Sequence, residues 1–276
     1  MARSLATQIA ENPLAYDAYD FLPEWPDLSP AYLDAVASDA ERVRIGQRLA
    51  ASRDLTWGTH QGSADYRRGR KALHRVLRGA FLSETVITAS AHSDGERPRF
   101  VILGGRACSG KAWFAGRMFN PRNAVFFDAD AIMAQLPEYD GLAPVVRAEA
   151  ADILESMMDS ARLMGLNVVV DATLCSLDGA RAKIAAFAAA GYVTEAHYMF
   201  VPPQVAAERA AHRFDKTGHY VPIESVLANT ANEQTFDLIR GRVDVWSFFD
   251  NDVPEGEEPK LIANSGGAGG TASPSP

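Results

Sequence analysis

The sequence predicts an α/β fold: a mostly parallel sheet with helices on both faces, preceded by a helical N-terminal region. Three observations carry this expectation. From residue 98 onward, short apolar runs alternate with helical patterns of ten or more residues, the signature of right-handed βαβ units. Two of the runs, Phe100-Val-Ile-Leu103 and Val168-Val-Val170, are continuous and rich in β-branched residues, as strands covered on both faces tend to be. The first run leads into Gly105-Arg-Ala-Cys-Ser-Gly110-Lys111, which fits G-x-x-x-x-G-K at a strand-to-helix turn.

The elements follow in order. Ser29-Pro30 marks a helix start, with Ser29 as cap and Pro30 in the first turn, and the helix runs through Leu49. Leu73, Val76, Leu77 and Phe81 at helical spacing predict a helix over 64–82, and the polar stretch Ala91–Pro98 breaks the pattern. Strands are then expected at 99–103, 123–127, 167–170 and 194–201. They alternate with helices at 110–117, 144–164, 178–190 and 204–214, the third closed by Gly191. Pro222 opens a long helical stretch to about Ile239, and 245–249 and 260–263 read as final short strands. The Gly/Ser/Ala/Pro-rich segment 264–276 is expected to be disordered. The organisation is therefore a helical region (1–97), a sheet domain (98–263) and a tail (264–276).

Composition narrows the function classes. With 47% hydrophobic and 22% charged residues, the 276-residue chain can bury a sizeable core. Its formal net charge of −8 argues against a broad nucleic-acid footprint, and the basic stretch from Arg67 to Arg78 reads as a solvated helix face. Two cysteines make no disulfide framework, and six histidines form no zinc spacing. No run approaches the roughly 18 apolar residues of a membrane span, and the N-terminus lacks a signal-peptide core, so a cytoplasmic location is expected.

The glycine-rich turn predicts a phosphate loop of the P-loop NTPase or kinase type. Backbone N–H groups from Gly105, Arg106, Ala107, Cys108, Ser109, Gly110, Lys111 and Ala112 would converge on a nucleotide's phosphates, and Lys111 would reach the β/γ positions. Ala112 stands where a Ser or Thr hydroxyl ordinarily binds Mg²⁺. In an open parallel sheet ligands sit beyond the carboxyl ends of the strands, which selects three further places. Asp128-Ala-Asp130 offers a general base or a helix cap. Asp171-Ala-Thr173 offers a Mg²⁺-assisting acid without the following Glu of motor ATPases, and Thr173 either binds substrate or closes the turn. Arg209 and Arg213, one helical turn apart, form a lid over phosphates or an ordinary solvated face.

These pieces, in this order, resemble the zeta-toxin family of P-loop kinases, the UDP-N-acetylglucosamine kinases. The resemblance runs from about Phe100 to Ala263. It rests on Gly-Gly-x-x-x-Ser-Gly-Lys at 104–111, Phe-Asp-Ala-Asp-Ala-Ile at 127–132, Leu-Pro-Glu-Tyr at 136–139 and Gly-Leu-Asn-Val-Val-Val-Asp-Ala-Thr-Leu at 165–174. Arg209-Ala-Ala-His-Arg213, Thr217-Gly-His-Tyr-Val-Pro222 and Asp250-Asn251 complete it. The resemblance implies Lys111 as phosphate lysine, Asp130 as the base that takes the sugar hydroxyl's proton, and Glu155 and Thr173 as substrate contacts. It implies Arg213 as a phosphate clamp. Periodicity alone sets Glu155 opposite the stripe Val146, Ile153, Leu154, Met157, Ala161, toward solvent. Arg106 is unusual in the loop, where its cationic side chain could favour phosphate; Trp113 replaces a small hydroxyl residue, and His219 takes the place of a second lid arginine.

The expected activity is transfer of the γ-phosphoryl group of ATP or GTP, with Mg²⁺, to a hydroxyl of a nucleotide sugar, UDP-N-acetylglucosamine first, with an antitoxin protein as partner. Two alternatives stay open: a P-loop kinase with another small-molecule or nucleic-acid acceptor, and a non-catalytic nucleotide-binding module.

Overall fold

The computed structural model describes residues 68–266 apart from 93–94, 120–122, 137–142, 218–220 and 222. The helix expected at 29–49, the residue His219 and most of the expected disordered tail lie outside the described residues. The chain falls into two compact units. One takes residues up to Ala80 with Ala129–Glu155 and Glu208–Ser225; the other takes Phe81–Asp128, Ser156–Ala207 and Val226 onward.

The second unit is built on a six-stranded sheet in the order β2-β3-β1-β4-β5-β6. The strands are β1 (Arg99–Gly104), β2 (Val125–Phe127), β3 (Val168–Ala172), β4 (Val193–Phe200), β5 (Val245–Asp250) and β6 (Lys260–Asn264). All neighbours run parallel except β5 and β6, which are antiparallel with an irregularity at Phe248/Phe249. Asn264, the first residue of the segment expected to be disordered, closes β6, and Ser265 N–H still donates to Trp246 O at 3.0 Å. From β1 the chain steps outward to β2, returns through β3, and only then crosses to β4 on the other side. That reversal makes β1 the switch point at whose carboxyl end ligands bind in such sheets.

Alternation along each strand divides the core between two faces. Val101, Leu103, Val169 and Met199 pack with Phe114 and Ala115 of α3 (Lys111–Met118). The intervening residues meet other helices. Phe100 stacks on Phe187 of α6 (Leu177–Ala189), ring centroids 3.9 Å apart, while Tyr198 and Phe248 pack around Phe236 of α9 (Asn232–Ile239). Helices therefore cover both faces, as expected. The helical stretch expected from Pro222 to Ile239 is two helices, α8 (Ile223–Ala228) and α9, because carbonyls at the end of α8 are drawn into the bonds described below.

A short helix with no counterpart in the sequence pattern, α2 (Glu84–Ser90), precedes β1. It is started by Ser83, whose hydroxyl accepts from Val86 N–H at 3.4 Å. In the first unit, α1 (Arg68–Phe81) turns His74 and Leu77 inward, while Val76 of the expected apolar stripe is 68% exposed. His74 Nε2 lies 2.5 Å from the buried carboxylate of Glu149 on α5 (Ala143–Leu163), so a polar pair holds α1 where the apolar Val76 was expected to face inward. The first unit also holds α4 (Ala129–Met133) and most of α7 (Pro203–Thr217). Among the described residues no helix is long and apolar enough to cross a membrane.

At the amino end of the sheet Arg99 grips Glu195 with two bonds, Nε–H to Oε1 at 2.6 Å and Nη2–H to Oε2 at 2.9 Å, and His197 Nε2 lies 3.2 Å from Oε2. Burial pushes the Glu195 carboxyl up, but the bonds from His197 and Arg99 outweigh it and bring it down to about 2. A carboxyl depressed on folding stabilises the protein fully above its unfolded value, near ~4.3, and loses that contribution as pH falls through the folded one. Urea unfolding at a series of pH values should therefore show stability falling by on the order of 3 kcal/mol between pH 5 and pH 2 from this group. Glu195→Gln should flatten that limb, and an unchanged acid limb in the variant would contradict the assignment.

Candidate active site

Beyond Gly104 the chain makes the turn that the sequence marked as a phosphate loop. Gly105 has φ +147°, and a Cβ there would fall 2.6 Å from Met199 O and from Ser109 Oγ, so only glycine fits. Cys108 (φ +61°) and Gly110 (φ +88°) are left-handed, and Ser109 N–H bonds back to Arg106 O at 3.2 Å. Helix α3 starts at Lys111 with Gly110 as its cap and no side chain capping it. The first N–H groups of a helix have no intrahelical acceptor, and here they open at the carboxyl edge of β1. Ser109 is wholly buried, and its hydroxyl has no partner among the described residues. Uncapped N–H groups, a glycine cradle and an orphaned hydroxyl fit an oxyanion.

Lys111 supplies the cation. Its side chain is only 7% exposed, and the ammonium donates to Gly105 O at 3.0 Å and Arg106 O at 2.8 Å and lies 3.5 Å from Asp171 Oδ1. Asp171 arrives there through strand register, since β3 runs parallel to β1 with Leu103 opposite Asp171. One strand further out, Asp128 follows the carboxyl end of β2, half-buried. Asn251, directly after β5, donates from Nδ2 to Ser109 O at 2.8 Å and braces the loop from the β5 side.

Among the nucleotide-loop residues, Arg106 departs from expectation. Its guanidinium, expected to favour phosphate, is turned away and buried. Nη1 donates to Val226 O at 3.0 Å and to Asn229 O, and Nη2 to Glu233 Oε1 at 3.2 Å. Only its backbone remains in the loop. Ala112 is exposed on the first turn of α3. Thr173 is exposed just past β3, with its hydroxyl donating to Cys175 Sγ at 3.4 Å.

The remaining candidates belong to the first unit. Asp130 is exposed in the first turn of α4, and Glu155 is exposed on α5, where Ile153, Leu154 and Met157 are buried. Arg209 is half-buried and Arg213 exposed on α7. For the metal, no cluster of three or more His, Cys, Asp or Glu fit to hold an ion occurs among the described residues. Mg²⁺ commonly takes one or two protein carboxylates plus phosphate oxygens and water, a mode open to Asp171 at the carboxyl end of β3.

The zeta toxin family profile matches residues 83–246, more than half of the chain. The protein belongs to the zeta toxin family. Solved structures agree on the fold. The structure described as the PezAT toxin–antitoxin system of Streptococcus pneumoniae aligns with a TM-score of 0.54 at 18% identity, over 73% of this chain and 82% of that one. The AvrRxo1-ORF1:AvrRxo1-ORF2 complex with sulphate ions aligns at 0.59 and 16% identity, covering 74% and 70%. The same complex with ATP gives 0.59 and 15%, covering 87% and 73%. At these identities they speak for the fold alone: this zeta toxin family chain has the architecture of a P-loop phosphotransferase. No curated protein matches it.

Sequence reasoning passed over Asn229 and Glu233, whose bonds span 56 to 127 residues and leave no local pattern. Asn251 carried a signal, the Asp250-Asn251 pair, but no stated task. Its bond to the loop yields a test. A Cβ on Gly110 would fall 2.3 Å from Asn251 Nδ2 and would sit on left-handed backbone. Gly110→Ala should lower nucleotide affinity at least tenfold and destabilise the protein by about 1–3 kcal/mol, read by calorimetry and urea unfolding. Adding Asn251→Ala should recover part of the stability. Full affinity in Gly110→Ala would show that the loop geometry is not needed.

Proposed function

We propose that this protein transfers the γ-phosphoryl group of ATP or GTP, with Mg²⁺, to a hydroxyl of a nucleotide sugar, with UDP-N-acetylglucosamine as the first candidate. The observation that carries the reading is the buried Lys111 ammonium, held against Asp171 at the mouth of an uncapped helix. Membership of the zeta toxin family and a structural neighbour described with ATP support the nucleotide donor. The acceptor rests on the sequence resemblance, and an antitoxin partner on the toxin–antitoxin description of another neighbour.

The chain's own groups would divide the work as follows. N–H groups of the loop and of the α3 terminus receive phosphate oxygens, and Lys111 exchanges a backbone carbonyl for one of them. Bound Mg²⁺ would neutralise charge on the β- and γ-phosphates; Asp171 would hold it, because Ala112 offers no hydroxyl. Asp130 accepts the proton of the acceptor hydroxyl as its oxygen bonds to the γ-phosphorus and the bond to the β,γ-bridging oxygen breaks, leaving the nucleoside diphosphate. Thr173 and Glu155 orient the acceptor, and Arg209 and Arg213 supply positive charge to the transferred group. Ala112 also favours a second reading, a nucleotide-binding protein without turnover.

Mass spectrometry of a nucleotide-sugar mixture incubated with protein, ATP and Mg²⁺ should show one added phosphoryl group on UDP-N-acetylglucosamine. Asp130→Asn should keep nucleotide binding and slow transfer at least about a hundredfold. A larger loss in Asp128→Asn would move the base to Asp128, and binding without any phosphorylated product would favour the second reading.

A further inference from the structure

Arg106 has a second attachment besides its place in the loop. Its backbone oxygen accepts from the Lys111 ammonium at 2.8 Å, while its guanidinium, on a residue 3% exposed, is locked onto the connection between α8 and α9. There Asn229 does two jobs. Its backbone oxygen accepts from Arg106 Nη1, and its side-chain Nδ2 donates to Thr173 O at 3.3 Å. Glu233 secures the other terminal nitrogen of the guanidinium, and Asn232 Oδ1 accepts from Glu233 N–H at 3.0 Å. A planar guanidinium with its terminal nitrogens so engaged transmits a shift of one attachment to the other, because it has no free rotamer left.

We propose that Asn229 is a positioning residue that couples the phosphate loop to the Thr173 turn. Nucleotide seated on Lys111 moves or stiffens the Arg106 carbonyl, and the Arg106–Asn229–Thr173 bonds carry that change to the turn. The consequence for an acceptor rests on the reading of Thr173 given above; the coupling itself does not. By linkage, an acceptor that orders the turn tightens nucleotide by the same factor.

Asn229→Ala separates the two jobs, since it removes the bond to Thr173 and leaves the backbone oxygen for Arg106. Hydrogen exchange of the full chain, with and without the non-hydrolysable ATP analogue AMP-PNP and Mg²⁺, reads the coupling without any acceptor. In the wild type AMP-PNP should slow exchange both in the loop 105–112 and in the turn 173–175. In Asn229→Ala the loop should stay protected while protection of the turn falls at least about fivefold. In the presence of AMP-PNP the Kd for UDP-N-acetylglucosamine should rise by a similar factor, while the Kd for AMP-PNP measured without the sugar nucleotide should not change. Equal protection of the turn in wild type and variant overturns the proposal.

If Asn229→Ala fails to fold, Arg106→Lys breaks the route at its other end while keeping a charge. It must then lose protection of the turn, or the proposal fails. A wild type that binds no AMP-PNP overturns the phosphate-loop reading and this coupling together. One that binds AMP-PNP but ignores UDP-N-acetylglucosamine overturns only the acceptor, and the exchange result still decides the coupling.

Discussion

An ammonium group taken out of water must find its hydrogen bonds elsewhere, and at Lys111 the carboxyl edge of the sheet is arranged around that need. Two carbonyls from the preceding turn and the Asp171 carboxylate surround it. The carbonyls point inward because the turn passes through conformations that glycine tolerates and most residues do not, at Gly105 and Gly110. The carboxylate is present because parallel register sets Asp171 opposite Leu103, at the end of a neighbouring strand. The same turn leaves the start of α3 uncapped, so a cation and a row of N–H donors face the same way. Neither feature alone suits an oxyanion as well as the two together.

Sheet and loop depend on each other through α3. Phe114 and Ala115, one turn past the lysine, bury themselves against Val101, Leu103 and Met199 and fix the helix on its face of the sheet. Braces then enter from two sides. Asn251 reaches Ser109 from beyond β5, and Arg106 reaches out to the break between α8 and α9. A loop held at both flanks is in place before binding, as preorganised electrostatic stabilisation of phosphoryl transfer requires, and a change made at one flank passes to whatever is attached there.

Much of this was legible in the chain. Strands β1 and β3 announce themselves as unbroken β-branched runs, the glycine-rich turn as a fixed spacing, and Asp171 as an acid at a strand end. These are local signals, and local signals survive without a structure. Pairs that depend on distant partners do not. Arg106 read as a cation for phosphate, because nothing near it in sequence tells of Val226, Asn229 and Glu233. The long helical stretch expected from Pro222 to about Ile239 is interrupted where Arg106 takes up the carbonyls of Val226 and Asn229. On α1 the apolar spacing suggested Val76 as a core residue, whereas the inward position belongs to His74, paired with a glutamate 75 residues away. The roles of Asp130, Glu155 and Arg213 come from resemblance, and that of Arg209 from its helical spacing to Arg213, as no local pattern distinguishes a catalytic acid from a helix cap or a clamp from a solvated face.

The most direct test is calorimetric titration of Mg²⁺·AMP-PNP into the wild type and Lys111→Ala, with circular dichroism to verify that the variant is folded. The account predicts saturable one-to-one binding by the wild type and an affinity at least about tenfold weaker in the variant, the loss expected for one charge-assisted hydrogen bond. Equal affinity in a folded Lys111→Ala protein would contradict it.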